Sequence, residues 1–178
     1  MKYILALTVS ILAIQAHAAF KIKPGLWEIE TKINNKGQSE DMGAKMQEAM
    51  KKMKPEQRAQ MEKMMGSHGM GFGEKGMKVC HTDKTSTAES MVQNPKNKCT
   101  VTDKEDLADG VKFKIKCEKG NGAAEYHMTS DTSYSGWNEF ETAHGKNKME
   151  FKGKFLSADC GNVKPFSEVK FNKVPAPK

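Results

Sequence analysis

The stretch VKFKIKC, at residues 111–117, alternates apolar and basic side chains without a break. Its apolar positions are Val111, Phe113, Ile115 and Cys117, and one lysine separates each of them from the next. Because successive side chains on a strand point to opposite faces, this alternation predicts a strand with one buried and one solvated face. Residues 149–155 repeat the same pattern. One-sided burial of this kind is typical of an antiparallel sheet.

Turn-forming residues separate several such segments at short intervals. They lie at 120–122, 130–132 and 144–146 and include glycine, asparagine and aspartate, which favour tight connections. We expect an antiparallel meander of five consecutive strands, at about residues 99–104, 111–117, 123–130, 133–143 and 149–155. The predicted fold class is mainly β (α+β by content), as an open meander or a half-barrel.

The segment before the meander combines a further strand with helical periodicity. Residues 25–33 alternate like a half-buried strand. Apolar residues then recur at helical spacing from 41 to 53, and Pro55 suits the first turn of a second helix that extends to Met65. We therefore expect a Met-rich helical hairpin inserted at about 41–66, followed by a Gly-rich flexible loop at 66–76. A short helix within 82–92, capped by Thr85 or Ser86, and an extended tail at 163–178 complete the prediction.

The N-terminal residues 1–18 have the pattern of a secretory signal peptide. Lys2 precedes an apolar run from Tyr3 to Ile14, and Ala16 and Ala18 supply small residues before a cleavage point. The run is too short for the roughly 20 residues that span a bilayer. We therefore expect export to the periplasm, a single β-rich domain at 19–162, and no transmembrane segment in the mature chain.

Four cysteines remain after the predicted cleavage, at positions 80, 99, 117 and 160. An even number of cysteines in an oxidising compartment favours two disulfides, and the wide spacings argue against a zinc site. Three connectivities are open. We expect Cys80–Cys99, which closes a local loop, together with Cys117–Cys160, which joins two strands.

Four motifs and the cysteines occur in a defined order: Lys23-Pro24-Gly25-Leu26-Trp27-Glu28, the run 54–62, Gly76-Met77-Lys78-Val79-Cys80, then Cys99, Cys117 and Asp159-Cys160-Gly161. Together they resemble domain-of-unknown-function family 3617, a group of small exported proteins of Gram-negative bacteria. The resemblance covers about residues 20–162 and implies a periplasmic location, a β-rich fold and a Met-rich segment before the first cysteine. It implies no activity, so no catalytic positions can be carried over. This chain departs from the family in having a more helical, more charged and less proline-rich Met segment.

Methionine is unusually concentrated: nine of the 13 methionines lie between Met42 and Met77. Thioether and imidazole groups are ligands for Cu(I), which makes copper the one conceivable cofactor. Methionine is also a pliable filler of amphipathic helices, and this explanation competes with the metal hypothesis. The candidate ligands are Met61, Met64, Met65, His68 and Met70.

The same helices suggest a binding function in a second way. Two Met-rich helices resting on a sheet would form a lid over an apolar cavity or a docking surface for a partner protein. The sequence thus favours a non-catalytic module that binds an apolar ligand or a protein. No nucleophile pair, isolated carboxylate pair or correctly placed phosphate-binding loop is evident, so we expect no enzymatic activity.

The chain is basic, with 29 Lys and Arg against 22 Asp and Glu and a net charge of +7. The lysines are dispersed and Arg58 is the only arginine, which argues against nucleic-acid binding. Weak contact with an anionic surface would follow if lysines from two neighbouring strands formed one basic face. The lysines concerned are Lys112, Lys114, Lys116, Lys152 and Lys154.

Overall fold

The computed structural model describes residues 20–35, 38–92, 98–143 and 145–165. The predicted signal peptide and the end of the predicted tail lie outside these residues. Among the helices of the described ranges, none has the length and apolar character that crossing a membrane requires.

The described residues form a sheet with helical segments near its N-terminal half. The α-helices are α1 (Met42–Lys51), α2 (Pro55–Ser67) and α3 (Ala88–Val92), and a 3₁₀ helix spans Asp83–Thr85. The strands are β1 (Gly25–Asn35), β2 (Gln38–Asp41), β3 (Met70–Phe72), β4 (Met77–His81), β5 (Thr100–Asp106), β6 (Gly110–Cys117), β7 (Gly120–Ser130), β8 (Ser133–Thr142) and β9 (Gly145–Ser157).

The sheet confirms the predicted antiparallel meander. Its strands follow the order β3-β4-β1-β9-β8-β7-β6-β5, and β2 pairs with β1 outside this path. The five consecutive strands β5 to β9 are each paired with the next in the chain. In the described part of the chain the sheet is open, with β3 and β5 at its two edges.

Alternation divides the sheet into an inner and an outer face. The inner face carries the apolar set that includes Trp27 of β1, Phe113 of β6 and Phe151 of β9, all buried. The outer face carries the intervening polar and charged residues. Aromatic rings interlock on the inner face, where the Tyr126 and Phe151 ring centroids are 4.9 Å apart. One-sided burial of this kind is the outcome that the alternation of period two predicts.

Two chain segments cover part of the inner face, and we call them the covering layer: residues 20–22 and residues 82–92. The Ile22 amide donates a hydrogen bond to the Ser86 carbonyl at 3.0 Å, which joins the two segments. Phe20 and Ile22 are buried against the sheet. The predicted caps of the helix in this layer are wrong, because the Ser90 amide donates to Thr87 Oγ1 at 3.3 Å instead.

The helical insertion lies at the predicted position, but the segment that follows it is not the flexible loop that the sequence predicted. Helix α2 continues to Ser67, and residues 70–72 form strand β3 instead of a flexible loop. Met70 pairs with Val79 and Phe72 with Met77, so β3 and β4 make a hairpin. Glycine-rich composition hid this strand, because its pairing depends on backbone hydrogen bonds and not on a side-chain pattern.

The predicted disulfide pairing is wrong. Cys80 is bonded to Cys160, with Cα atoms 5.6 Å apart, and Cys99 is bonded to Cys117, with Cα atoms 4.1 Å apart. Cys99 immediately precedes β5, whose register places Thr100 opposite Lys116, so the second bond joins neighbouring positions across two strands. Among the described residues no cysteine is free.

The outer face is not uniformly basic, contrary to the conditional expectation of one lysine surface. The lysines of β6 and β9 are separated by β7 and β8. These intervening strands carry carboxylates, and Glu125 of β7 lies 3.8 Å from the Lys112 ammonium group. Glu139 of β8 similarly lies 2.7 Å from the Lys146 ammonium group. The charges on this face therefore alternate in sign.

His127 on the outer face lies between two carboxylates. Its Nδ1 is 2.9 Å from Asp109 Oδ1, and its Nε2 is 2.8 Å from Glu125 Oε1. Glu125 and Asp109 raise the pKa of His127 because both favour the protonated ring. A raised folded-state pKa means that this contribution to stability is present at pH below the unfolded pKa of about 6.5 and is lost as pH rises through the folded pKa.

We expect the stability difference between the wild-type protein and the His127→Gln variant to shrink as pH rises from about 6 to 9. The contribution should stay below about 1 kcal/mol, because the side chains are partly solvated. Thermal unfolding of both proteins across this pH range measures it. A difference that grows with pH would contradict the assignment of a protonated bridging imidazole.

Candidate functional site

A cavity of about 300 Å³ lies between the inner face and the covering layer. Strands β1, β4, β7, β8 and β9 form its floor, and residues 85, 90 and 91 of the covering layer line it from above. Its size falls at the lower end of the range of small-molecule sites. The residues that line it are Ile29, Thr31, Val79, Cys80, His81, Thr85, Ser90, Met91, Tyr126, Tyr134, Asn138, Met149 and Phe151.

As far as the chain is described, the lining is mainly apolar and carries no formal charge. Ile29, Met91 and Met149 contribute aliphatic and thioether surface, while Tyr126 and Phe151 contribute aromatic surface. Within the described residues, no Asp, Glu, Lys or Arg lines this cavity. A small apolar site with a few polar groups is the usual composition of a ligand pocket.

The tyrosine hydroxyl groups at this site are neutral donors and acceptors. Burial raises the pKa of both Tyr126 and Tyr134, because removal from water disfavours the phenolate. The neighbouring Asn138 side chain acts in the opposite direction and lowers the pKa of Tyr126. Both groups therefore fix the shape of the cavity without adding charge to it.

His81 is the most unusual residue of the lining. It lies at the end of β4, opposite Gly25 of β1, and only 8% of its surface is exposed. Its Nδ1 lies 3.0 Å from the Thr85 carbonyl oxygen, whereas its buried Nε2 has no hydrogen-bond partner in the described part of the chain. Burial lowers the pKa of His81 below its ordinary value, so the neutral ring is favoured.

The cavity does not lie under the Met-rich helices, so the predicted lid is wrong. Helix α1 lies over the outer face, where Glu30 and Gln47 line a polar groove beside Glu74 and Lys75. Ile29, one residue before Glu30 on the same strand, lines the apolar cavity. Because neighbouring strand residues point to opposite faces, the sheet itself separates helix α1 from the cavity.

Glu28 holds the helical insertion against the sheet. Its Oε1 accepts hydrogen bonds from the Lys75 amide at 2.8 Å and the Gly76 amide at 3.3 Å. The Gln47 side chain of α1 donates to the Gly73 carbonyl in the same loop. Gly43 of α1 approaches so closely that a Cβ there would lie 2.1 Å from the Lys75 carbonyl oxygen. Polar contacts to one loop therefore help to position α1, together with the buried Met50 of the same helix.

The Glu28→Ala variant should lose about 2 kcal/mol of stability, because the buried Gly76 amide and the partly buried Lys75 amide lose their acceptor. Glu28→Gln keeps an oxygen at this position and should lose less than half as much. Hydrogen exchange of the Lys75 and Gly76 amides, measured with the unfolding free energy, tests this prediction. Equal protection of those amides in the wild-type protein and Glu28→Ala would show that Glu28 does not hold the loop.

The five candidate metal ligands lie on α2 and the strand that follows it. Met61 and Met65 are half-buried, and Met64 is 56% exposed. His68 ends the helix, with its Nδ1 2.8 Å from the Met64 carbonyl oxygen, and Met70 lies in β3. Helical spacing of four residues places Met61 near Met65 and Met64 near His68. In the described ranges, no group of three or more His, Cys, Asp or Glu could hold a metal.

His81 was not predicted as a residue of the site, although the sequence around it contains a weak strand pattern. Met77, Val79 and His81 alternate with Lys78 and Cys80, and this period of two places the histidine on the same face as the apolar pair. The strand has only five residues, and Cys80 places an apolar residue where the alternation calls for a polar one, which obscures the pattern. Asn138 and Met91 carried no comparable signal, because their convergence depends on the sheet order.

The described residues define a class of protein built on one open antiparallel sheet with two disulfides. The sheet carries a helical insertion on its outer face and an apolar cavity on its inner face. The sequence profile of the family described as "Protein of unknown function (DUF3617)" matches residues 22–160. The chain belongs to this family, which confirms the resemblance inferred from its motifs.

A relative supports the same assignment. The chain is 31% identical over 130 residues to a Pseudomonas putida protein described as "Uncharacterized protein in lpd-3 5'region". The matched region covers 72% of this chain and 91% of that protein. No solved structure matches the chain at a significant level.

Proposed function

We propose that this protein is a non-catalytic binding module that holds a small, largely apolar ligand in the inner-face cavity. The observation that carries the proposal is the cavity of about 300 Å³ between the sheet and the covering layer, whose described lining residues carry no charge. A space lined by Ile29, Met149 and Phe151 favours apolar surface in its occupant.

We also propose that the chain is exported and acts in the periplasm. The signal-like residues 1–18 support export, and two disulfides suit an oxidising compartment. Fractionation of cells that express the full chain, with N-terminal sequencing of the periplasmic form, tests this. A product that keeps residues 1–18 in the cytoplasm would refute it.

Binding is tested with N-phenyl-1-naphthylamine, an uncharged fluorescent probe. The wild-type protein should bind it with a dissociation constant in the micromolar range. Met149→Trp introduces a larger side chain into the lining and should weaken binding by at least about tenfold. Met128→Trp is the matched control, because Met128 is half-buried on the same face but does not line the cavity. Equal affinity of both variants would show that the probe binds elsewhere.

Native mass spectrometry of the wild-type protein purified from periplasm complements the probe experiment. A copurified molecule of low mass should be present in the wild-type protein and reduced in Met149→Trp. A copurified polypeptide without any small molecule would instead favour a protein partner, the other occupant considered from the sequence.

Soft-metal binding by the Met-rich helix is the second candidate function. The observation that favours it is the exposure of Met64 at 56%, which leaves a thioether accessible one helical turn from His68. Calorimetric titration with Cu(I) under reducing conditions tests it, with Met64→Leu as a variant that keeps the apolar volume. Affinity weaker than micromolar in the wild-type protein would exclude this function.

A further inference from the structure

Nε2 of His81 has no hydrogen-bond partner among the described residues, and this constrains the chemistry of the ligand. Of the described side chains, only Arg58 and His81 have a buried nitrogen or oxygen atom without a hydrogen-bond partner. His81 is among the residues that line the cavity, and Arg58 is not. Because Nε2 of His81 is itself buried, a ligand atom reaches it only when a neighbouring side chain moves aside. A buried polar atom that lacks a partner costs about 1–3 kcal/mol, so a ligand that supplied one would gain affinity.

The contact with Thr85 fixes which kind of partner His81 requires. The Thr85 carbonyl oxygen can only accept a hydrogen bond, so Nδ1 of His81, 3.0 Å away, carries the proton and donates. In a neutral imidazole the other nitrogen then holds a lone pair. Nε2 of His81 is therefore an acceptor, and the missing partner is a donor.

The surroundings restrict that donor to an uncharged group. In the described ranges, the titratable side chains that line the cavity are His81, Tyr126 and Tyr134, and none of Asp, Glu, Lys or Arg is among them. An ionised group buried here would lose its hydration without gaining an opposite charge. An amine would carry such a charge at neutral pH, whereas an alcohol or a phenol would not.

We propose that the ligand is an uncharged, largely apolar molecule with a hydroxyl group, and that this hydroxyl donates a hydrogen bond to Nε2 of His81. This inference rests on the proposed binding function. The apolar part of the molecule packs against Met91, Met149 and Phe151. Because only a hydroxyl-bearing molecule can make the hydrogen bond, the site binds it more tightly than a hydrocarbon of equal size. His81 is thus a specificity-determining residue and takes part in no covalent step.

Three matched probes test the hydroxyl requirement: 4-butylphenol, 4-butylanisole and 4-butylbenzoate. They share an apolar body but present a hydroxyl donor, a methyl ether and an anion. Displacement of N-phenyl-1-naphthylamine from the full chain should show that the phenol binds at least about tenfold more tightly than the ether. The benzoate should bind more weakly than the phenol, because its charge is buried unpaired.

The outcomes separate the inference from the function on which it rests. If the ether equals the phenol while both displace the fluorophore, or if the benzoate binds best, the hydroxyl requirement is overturned and the binding function stands. If neither the fluorophore nor any of the three probes binds the wild-type protein, the binding function fails and the inference fails with it.

His81→Phe tests the residue itself, because it removes the acceptor and keeps an aromatic ring. The preference for phenol over ether should fall to within about twofold, while affinity for the ether changes little. His127→Phe is the matched control on the outer face and should keep the full preference. A preference that survives in His81→Phe would overturn the assignment.

A spectroscopic measurement on the unaltered protein covers the case in which His81→Phe folds poorly. The ¹⁵N chemical shifts of His81 should show a neutral ring with its proton on Nδ1. Addition of 4-butylphenol should move the Nε2 resonance upfield, as expected when that lone pair accepts a hydrogen bond, and 4-butylanisole should not. An Nε2 resonance that does not respond to the phenol, or that is already protonated, would overturn the proposal.

Discussion

Replacement of Cys80 and Cys160 together by alanine should lower the free energy of unfolding by about 4–5 kcal/mol. The bond closes a loop with a sequence separation of 80, and in the chain-entropy model the loss of such a cross-link chiefly increases the entropy of the unfolded state. This is a large share of the stability of an ordinary domain, about 5–15 kcal/mol. Equilibrium unfolding in urea under oxidising conditions, with the second disulfide intact, measures the loss.

The Cys99→Ala, Cys117→Ala double variant is the matched control. Its loop has a sequence separation of 18, so the same model gives a loss of about 3 kcal/mol. We therefore expect the urea midpoint to fall in both variants and to fall further when the Cys80–Cys160 bond is absent. The reverse order would mean that cross-strand geometry near Cys99 matters more than loop length.

Trp27→Ala should destabilise the protein by about 3–5 kcal/mol, because truncation of a buried aromatic side chain leaves a large void. Trp27 has no exposed surface. Its ring centroid lies 5.3 Å from that of Tyr134 and 5.5 Å from that of Phe155, and its Nε1 donates to the Lys23 carbonyl at 2.8 Å. The variant thus loses packing, ring contacts and one hydrogen bond together.

Trp137→Ala is the control for this prediction. Trp137 is half-buried on the outer face, where the Lys148 ammonium group lies 5.3 Å from its ring centroid. A cation–π contact at a solvated site contributes about 0.5–1 kcal/mol, so the loss should be much smaller. Chemical denaturation followed by circular dichroism compares the two variants without relying on tryptophan fluorescence. Comparable losses would show that the inner face is not the principal core.

The sequence predicted the strands of the meander well, because alternation is a local property. Val111, Phe113 and Ile115 all proved buried, and the intervening lysines lie on the other face. The turns after these strands also carry local signals. Since each strand pairs with the next in the chain, knowledge of the elements was enough to give the order of the meander.

Features that depend on contacts distant in the chain were not predictable in the same way. Residues 70–72 form a strand only because β4 provides a backbone partner. Cys80 pairs with Cys160 because β1 lies between β4 and β9 in the sheet, so that the strand ends come together. Nothing in the spacing of the cysteines encodes that arrangement.

The face that the helical insertion occupies was mispredicted for a similar reason. Apolar residues at helical spacing suggested that the insertion covers an apolar surface. In the structure α1 lies on the outer face, where its Gln47 side chain binds the loop that Glu28 of β1 also holds. The cavity lies on the other face of the sheet, where a histidine and an asparagine contribute polar atoms.

The nested arrangement of the two disulfides has a consequence for the order in which they form. The Cys99–Cys117 bond lies wholly inside the loop that Cys80 and Cys160 close. In a chain that enters an oxidising compartment N-terminus first, Cys80 meets Cys99 long before Cys160 arrives, so the earliest available bond is a non-native one. Its correction requires attack by a thiolate through a mixed disulfide. The protein's yield should therefore depend on disulfide isomerisation as well as on oxidation.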